Sequence, residues 1–160
     1  MLLIRGVNAI IYLKGNLQKM KKASKVLFLI GGIVGILAAI VFLAVGIVLL
    51  SVGVLATSPD IPEWAQKIIN DILAQNPGLT VAQVADTLKA SGAVLIVFFV
   101  IAVAAVVLSF ICSSKENRPL ALLIVATAFA AAGGTVFSIL GGIFGIINWA
   151  QERKAQTPAA

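Results

Sequence analysis

A chain of 160 residues with 61% hydrophobic and 11% charged side chains and a mean hydropathy of +1.10 lies outside the soluble range, where about a quarter of residues carry charge. There is no histidine and a single cysteine, which excludes zinc chemistry, Cys/His or Ser/His catalysis and an intrachain disulfide. The net charge of +6 does not point to nucleic acid, because the lysines cluster beside an apolar run rather than forming a face interleaved with aromatics.

Residues 1–19 have two readings. As a helix, Leu3, Val7, Ile10, Leu13 and Leu17 share one side, opposite Arg5, Asn8, Tyr12 and Asn16, the pattern of an interfacial helix. Alternatively the natural start is Met20, and these residues are an extension without function. Val26 to Ala56 then runs for thirty-one positions without an ionisable side chain. A bilayer core of ~30 Å needs only roughly 20 helical residues, so a first span is expected over about 26–53. Its apolar length is at least twice the ~7–15 residues of a signal peptide. Gly31, Gly35 and Ala39 fall at i, i+4 and i+8, a stripe that admits another helix closely, within the chain or from another subunit. Gly32 starts no such stripe, because Ile36 follows four residues on.

Six basic residues precede this span with no acid among them: Arg5, Lys14, Lys19, Lys21, Lys22 and Lys25. The segment after it carries Asp60, Glu63, Asp71 and Asp86 against Lys67 and Lys89. By the positive-inside rule the N-terminus is cytoplasmic and residues 57–89 are external.

Within 57–89 the pattern is that of a helical hairpin. Ile61, Trp64, Ala65, Ile68, Ile69, Ile72 and Leu73 recur at helical spacing, and Asn76-Pro77-Gly78 ends the run. Thr80 reads as an N-cap with Gln83 at the capping-box position, followed by Val81, Val84, Ala85 and Leu88 on one face. The expected hairpin core is Trp64, Ile68, Ile69, Ile72, Val84 and Leu88. Trp64 serves there or as an interfacial anchor. With only Ser91-Gly92 as a turn signal, the second helix is expected to continue into a second span over 90–112.

A polar turn with Lys115 and Arg118 follows. Residues 119–150 are one helix, giving three spans, or are split at Ala131 to Thr135 into spans 119–133 and 136–150, giving four. The split is preferred, because paired glycines make a tight turn and Arg153 and Lys154 then return to the cytoplasm. Gly141 and Gly145 form a GxxxG pair. Residues 155–160 are a short tail. Lys19, Lys21, Lys22, Lys25, Lys115, Arg118, Arg153 and Lys154 are therefore assigned as topogenic charges. Ser51, Ser109, Thr127, Thr135, Ser138 and Asn148 are the polar groups of the spans, and most can bond their own helix backbone.

The glycine-punctuated first span (LFLIGGIVGILAAIVF), the short basic turn (SSKENRP) and the glycine-rich hairpin with its basic tail (FSILGGIFGIINWAQERK) resemble small four-span membrane proteins of Gram-positive bacteria that carry a domain-of-unknown-function label. The resemblance covers Met20 to Lys154 and implies a fold and a location, not an activity. A claudin-type layout lacks its external tryptophan motif and paired cysteines.

The expected protein is thus an all-α, multi-pass, cell-membrane protein with both termini cytoplasmic: a four-helix transmembrane bundle over 20–154 with an extracytoplasmic hairpin. It is expected to be non-enzymatic and without cofactor, metal or evident small-molecule substrate. Its partners are the lipid bilayer and either itself or a larger membrane complex as an accessory subunit. The alternative is an oligomeric, holin-like pore.

Overall fold

The computed structural model describes residues 2–133 and 135–156, with side chains for 15–133 and 135–154. These residues form five helices and no strand: α1 (Leu2–Leu55), α2 (Glu63–Gln75), α3 (Val81–Ser114), α4 (Leu120–Ala132) and α5 (Val136–Gln156). At ~1.5 Å per residue α1 is about 81 Å long and α3 about 51 Å. Both contain stretches long and apolar enough to cross a membrane, Gly15–Leu55 and Val81–Ser114. No break separates residues 2–19 from the first apolar run. The amphipathic pattern expected over 1–19 falls mainly on residues 1–14, whose side chains are outside the described set, as is the tail beyond Gln156.

Contacts divide the chain into two compact units, Leu37–Val100 and Met1–Ile36 with Ile101–Ala160. In the first, α1 and α3 meet in antiparallel register, backbone to backbone. A Cβ on Gly92 would stand 2.8 Å from both the Gly46 carbonyl oxygen and the Leu50 nitrogen. One on Gly53 would stand 2.9 Å from the Ala85 oxygen and the Lys89 nitrogen. That contact explains why Ser91-Gly92 does not interrupt α3: the missing side chain is what lets α1 in. Phe42 and Phe98 pack with tilted rings 6.1 Å apart.

Helix α2 closes the same unit. Pro62 stands at its N-cap position and Asn76 ends it, the Asn76 side chain donating to the Ile72 carbonyl at 3.1 Å. Helix α3 opens on a capping box, with the Thr80 N–H donating to Gln83 Oε1 (2.9 Å) and the Gln83 N–H to Thr80 Oγ1 (3.3 Å). Val52 and Ala56 from α1, Ala65 and Ile69 from α2, and Val84, Ala85 and Leu88 from α3 make the core. Ile68 and Ile72 pack against it half-buried. Trp64 is a correction: placed in this core by its spacing, it is 50% exposed. Ala65 and Ile69 define the centre of the buried stripe, and at 100° per residue Trp64 is rotated well off that axis.

The second unit is held by α1, α3, α4 and α5. Gly31 faces Ser138 and Gly141 faces Phe28, so α1 and α5 run antiparallel. Thr127 meets Gly142 and Leu123 meets Gly145, so α4 and α5 do too. The break between them falls at Gly133 to Thr135, where the expected split was placed. Phe28, Cys112, Leu123 and Ala126 form the core, with Leu108, Leu122, Ile146 and Trp149 against it. Helix α4 has 13 residues, about 20 Å, shorter than a bilayer core.

Two outcomes follow. Gly92→Val is expected to lower stability by about 1–3 kcal/mol or more, whereas Gly15→Ala, with nothing within 4 Å of the new methyl, gains about 0.5–1 kcal/mol in helix preference; thermal unfolding in mild detergent reads both. By the same measurement Ile69→Ala costs about 2–5 kcal/mol and Trp64→Ala less than about 1 kcal/mol.

Candidate functional site

Most of the glycines assigned to helix packing lie against their own chain. Gly31 is covered by Ser138, Gly35 by Val106 and Thr135, Gly141 by Phe28, and Gly145 by Leu123 and Ser24; Ala39 is buried. Gly32, outside any stripe, faces the Phe110 ring. The α1–α5 contact thus gathers Gly31, Gly141 and Gly145 into one interface, and its close approach brings polar groups into reach.

Those polar groups form a network at one end of the second unit. Ser24 is fully buried. Its hydroxyl donates to the Gly141 carbonyl at 2.6 Å and accepts from the Arg118 guanidinium at 2.8 Å. A second Arg118 nitrogen donates to the Lys21 carbonyl at 3.4 Å. One serine therefore ties α1, α5 and the α3–α4 turn together. Farther along the interface Ser109 and Ser138 share a hydrogen bond of 2.9 Å, joining α3 to α5 instead of bonding their own helices. Thr127 does bond its own helix, to Leu123 at 2.6 Å, and Thr135 reaches the Ala130 carbonyl at 3.3 Å.

Arg118, assigned from the sequence as a topogenic charge, is only 8% exposed, because the short turn leading to Pro119 sets it beside two ready acceptors on α1. Burial pushes its guanidinium below the ordinary arginine value, with the Glu152 carboxylate acting in the opposite direction. It stays charged at neutral pH all the same. Among the described residues no carboxylate lies within ion-pairing distance of it. Lys19, Lys22, Lys115, Arg153 and Lys154 are exposed, and Lys21 and Lys25 half-buried.

The Arg118 side chain borders a half-open cleft of about 370 Å³. Lys21 and Arg153 add two more cations to its lining, and Glu116 and Glu152 two anions. Pro119, Leu123, Gly145 and Trp149 supply the apolar wall, and the Arg153 guanidinium lies over the Trp149 ring, 4.9 Å from its centroid. Asn117 and Asn148 complete the lining. Asn148 is 4% exposed and donates through Nδ2 to Glu152 Oε1 at 3.0 Å, but its Oδ1 is buried without a partner. Buried side-chain polar atoms are nearly always paired, and this oxygen is an exception to that rule. No cluster of metal-ligating side chains exists among the described residues.

Ser24, Glu116 and Glu152 had no place in the sequence reading. The signal for Ser24 was present: it continues the stripe of Phe28, Gly31 and Gly35 one turn back. Nothing local marks Arg118 as buried, since its acceptors lie some ninety residues away.

Ser24→Ala is expected to cost about 1–3 kcal/mol, because it leaves a buried Arg118 guanidinium donor without its acceptor; Lys22→Ala, on an exposed position two residues away, leaves the melting temperature unchanged.

A comparison with protein families, with curated proteins and with solved structures finds no match to this chain.

Proposed function

We propose that the protein is a small, non-enzymatic, multi-pass protein of a bacterial cell membrane that works by binding. In this reading α1, α3, α4 and α5 form a four-span bundle with both ends cytoplasmic. Helix α2 and the start of α3 form an external helical hairpin presented to a partner, a second copy or a larger membrane complex. The observation that carries it is the exposure of the two long apolar segments: only 17% of the most apolar window of each is buried. The core helix of a soluble protein would be mostly buried. Leu29, Ile33, Leu37, Ile40 and Val41 on α1, and Val94, Val97, Val100 and Val107 on α3, are all exposed large aliphatics, a surface that lipid solvates and water does not.

The in-chain neighbours of Gly31, Gly35, Gly141 and Gly145 support a division of labour. The glycine faces build the bundle, which leaves the hairpin, with Trp64, Leu79 and Val81 exposed, as the contact surface. The 13-residue α4 is accommodated by local thinning of the bilayer or by shielding behind its neighbours. The pore reading has no observation in its favour: the hydroxyls of Ser24, Ser109, Thr135 and Ser138 are bonded to protein groups.

Single cysteines in a Cys112→Ser background test the topology. Asp60→Cys is expected to react with a membrane-impermeant maleimide added outside intact cells, and Lys154→Cys only after lysis; a labelled Lys154→Cys in intact cells overturns four spans. In mild detergent, Gly35→Leu and Gly145→Leu are expected to lose folded monomer rather than dissociate a complex. Trp64→Ala is expected to abolish assembly while the fold persists. A wild-type protein that is monomeric and partnerless under all conditions would sink the binding function.

A further inference from the structure

We propose that the cleft beside Arg118 binds a zwitterionic phosphate–ammonium group, the chemistry of a phosphoethanolamine. Two imperfections in the polar network point to it, and they are of opposite kind. Arg118 is a buried cation with five N–H donors, two of its nitrogens engaged by Ser24 and Lys21, and among the described residues no carboxylate stands within ion-pair distance of it, Glu152 acting only from farther off. A buried charge without a counter-ion is costly, and a phosphate supplies that counter-ion in the geometry that a guanidinium matches best. Asn148 Oδ1 is a buried acceptor without a donor, and an anion cannot satisfy it. A single ligand that repairs both must carry a negative acceptor group and an N–H or O–H donor.

The charges around the cleft choose between those donors. Lys21, Arg118 and Arg153 stand against Glu116 and Glu152, a mixed lining that suits a zwitterion better than a net anion. The Asn148 amide already donates to Glu152, so the orphan oxygen and a carboxylate sit together, a natural seat for a primary ammonium. A trimethylammonium has no N–H to give that oxygen, so the cleft separates phosphoethanolamine from phosphocholine. Its volume of about 370 Å³ lies at the small end of ligand sites, enough for a headgroup but not for acyl chains. The headgroup has two sources, a membrane lipid or a soluble phosphodiester. The lipid source rests on the membrane reading above, whereas binding of the soluble headgroup does not.

The test is titration of the detergent-solubilised full chain by calorimetry with dihexanoyl phosphatidylethanolamine, dihexanoyl phosphatidylcholine, glycerophosphoethanolamine and inorganic phosphate. The ethanolamine lipid is expected to bind at least tenfold more tightly than the choline lipid. Asn148→Leu is expected to erase that difference; because it removes the Nδ2–Glu152 hydrogen bond along with the unpaired acceptor, the ligand-free melting temperature is read alongside to show that the variant is folded. Arg118→Gln is expected to weaken both lipids. Glycerophosphoethanolamine binding within tenfold of the lipid assigns the soluble source, and weaker binding assigns the lipid; either upholds the recognition chemistry. Equal affinity for ethanolamine and choline lipids in the wild type, inorganic phosphate as tight as the headgroup, or no binding at all overturns the proposal. Because the wild-type comparison needs no variant, a misfolded mutant does not protect it.

Discussion

Everything in this structure depends on how closely α1 approaches the helices beside it. Between apolar helices in lipid there is little hydrophobic gain from association, and cohesion comes from van der Waals contact and interhelical hydrogen bonds. Both require backbones close enough that a side chain would intervene. Gly53 and Gly92 in one unit, and Gly31 and Gly141 in the other, are the positions where that approach is achieved. At Gly31, Gly53 and Gly92 the obstructing atoms include backbone nitrogen or oxygen. A backbone cannot swing aside as the tip of a leucine can, so these sites tolerate substitution least.

Close approach also brings the buried hydroxyls within reach of each other. The Ser24–Gly141 bond lies where α1 and α5 stand at glycine distance, and Ser109 bonds Ser138 beside it. Ser24 then serves two masters, donating along one direction and accepting from Arg118 along another. Its satisfaction is complete, while that of the groups beyond it is not. The cation and the amide oxygen at the cleft are left one partner short, the condition under which a ligand gains most from entering.

Much of the local architecture was legible in the residues. The capping box at Thr80 and Gln83 and the stop at Asn76 each follow from short-range chemistry, a side chain bonding a backbone group three or four residues away, and α4 ends at the glycine where the break was expected. The continuous α3 was legible for the same reason, since nothing between Leu88 and Ala93 was strong enough to break it. Trp64 and Arg118 were not legible. Trp64 shares the spacing of the isoleucines, yet which part of a broad apolar stripe meets the core depends on where the neighbouring helices lie. Arg118 looks like every other basic residue beside a span, and only the serine and carbonyl that α1 brings to it make it a buried group.

By itself, then, the sequence determined the units of construction: two apolar runs long enough to cross a membrane and helices with stated ends. These are properties of neighbouring residues and of composition. The tertiary structure alone decided which glycines meet which helix and that Ser24 would be a junction. It alone left Arg118 and Asn148 short of partners beside one cleft. Those facts join residues as many as 117 positions apart, and periodicity along a chain carries no information about what stands across from it.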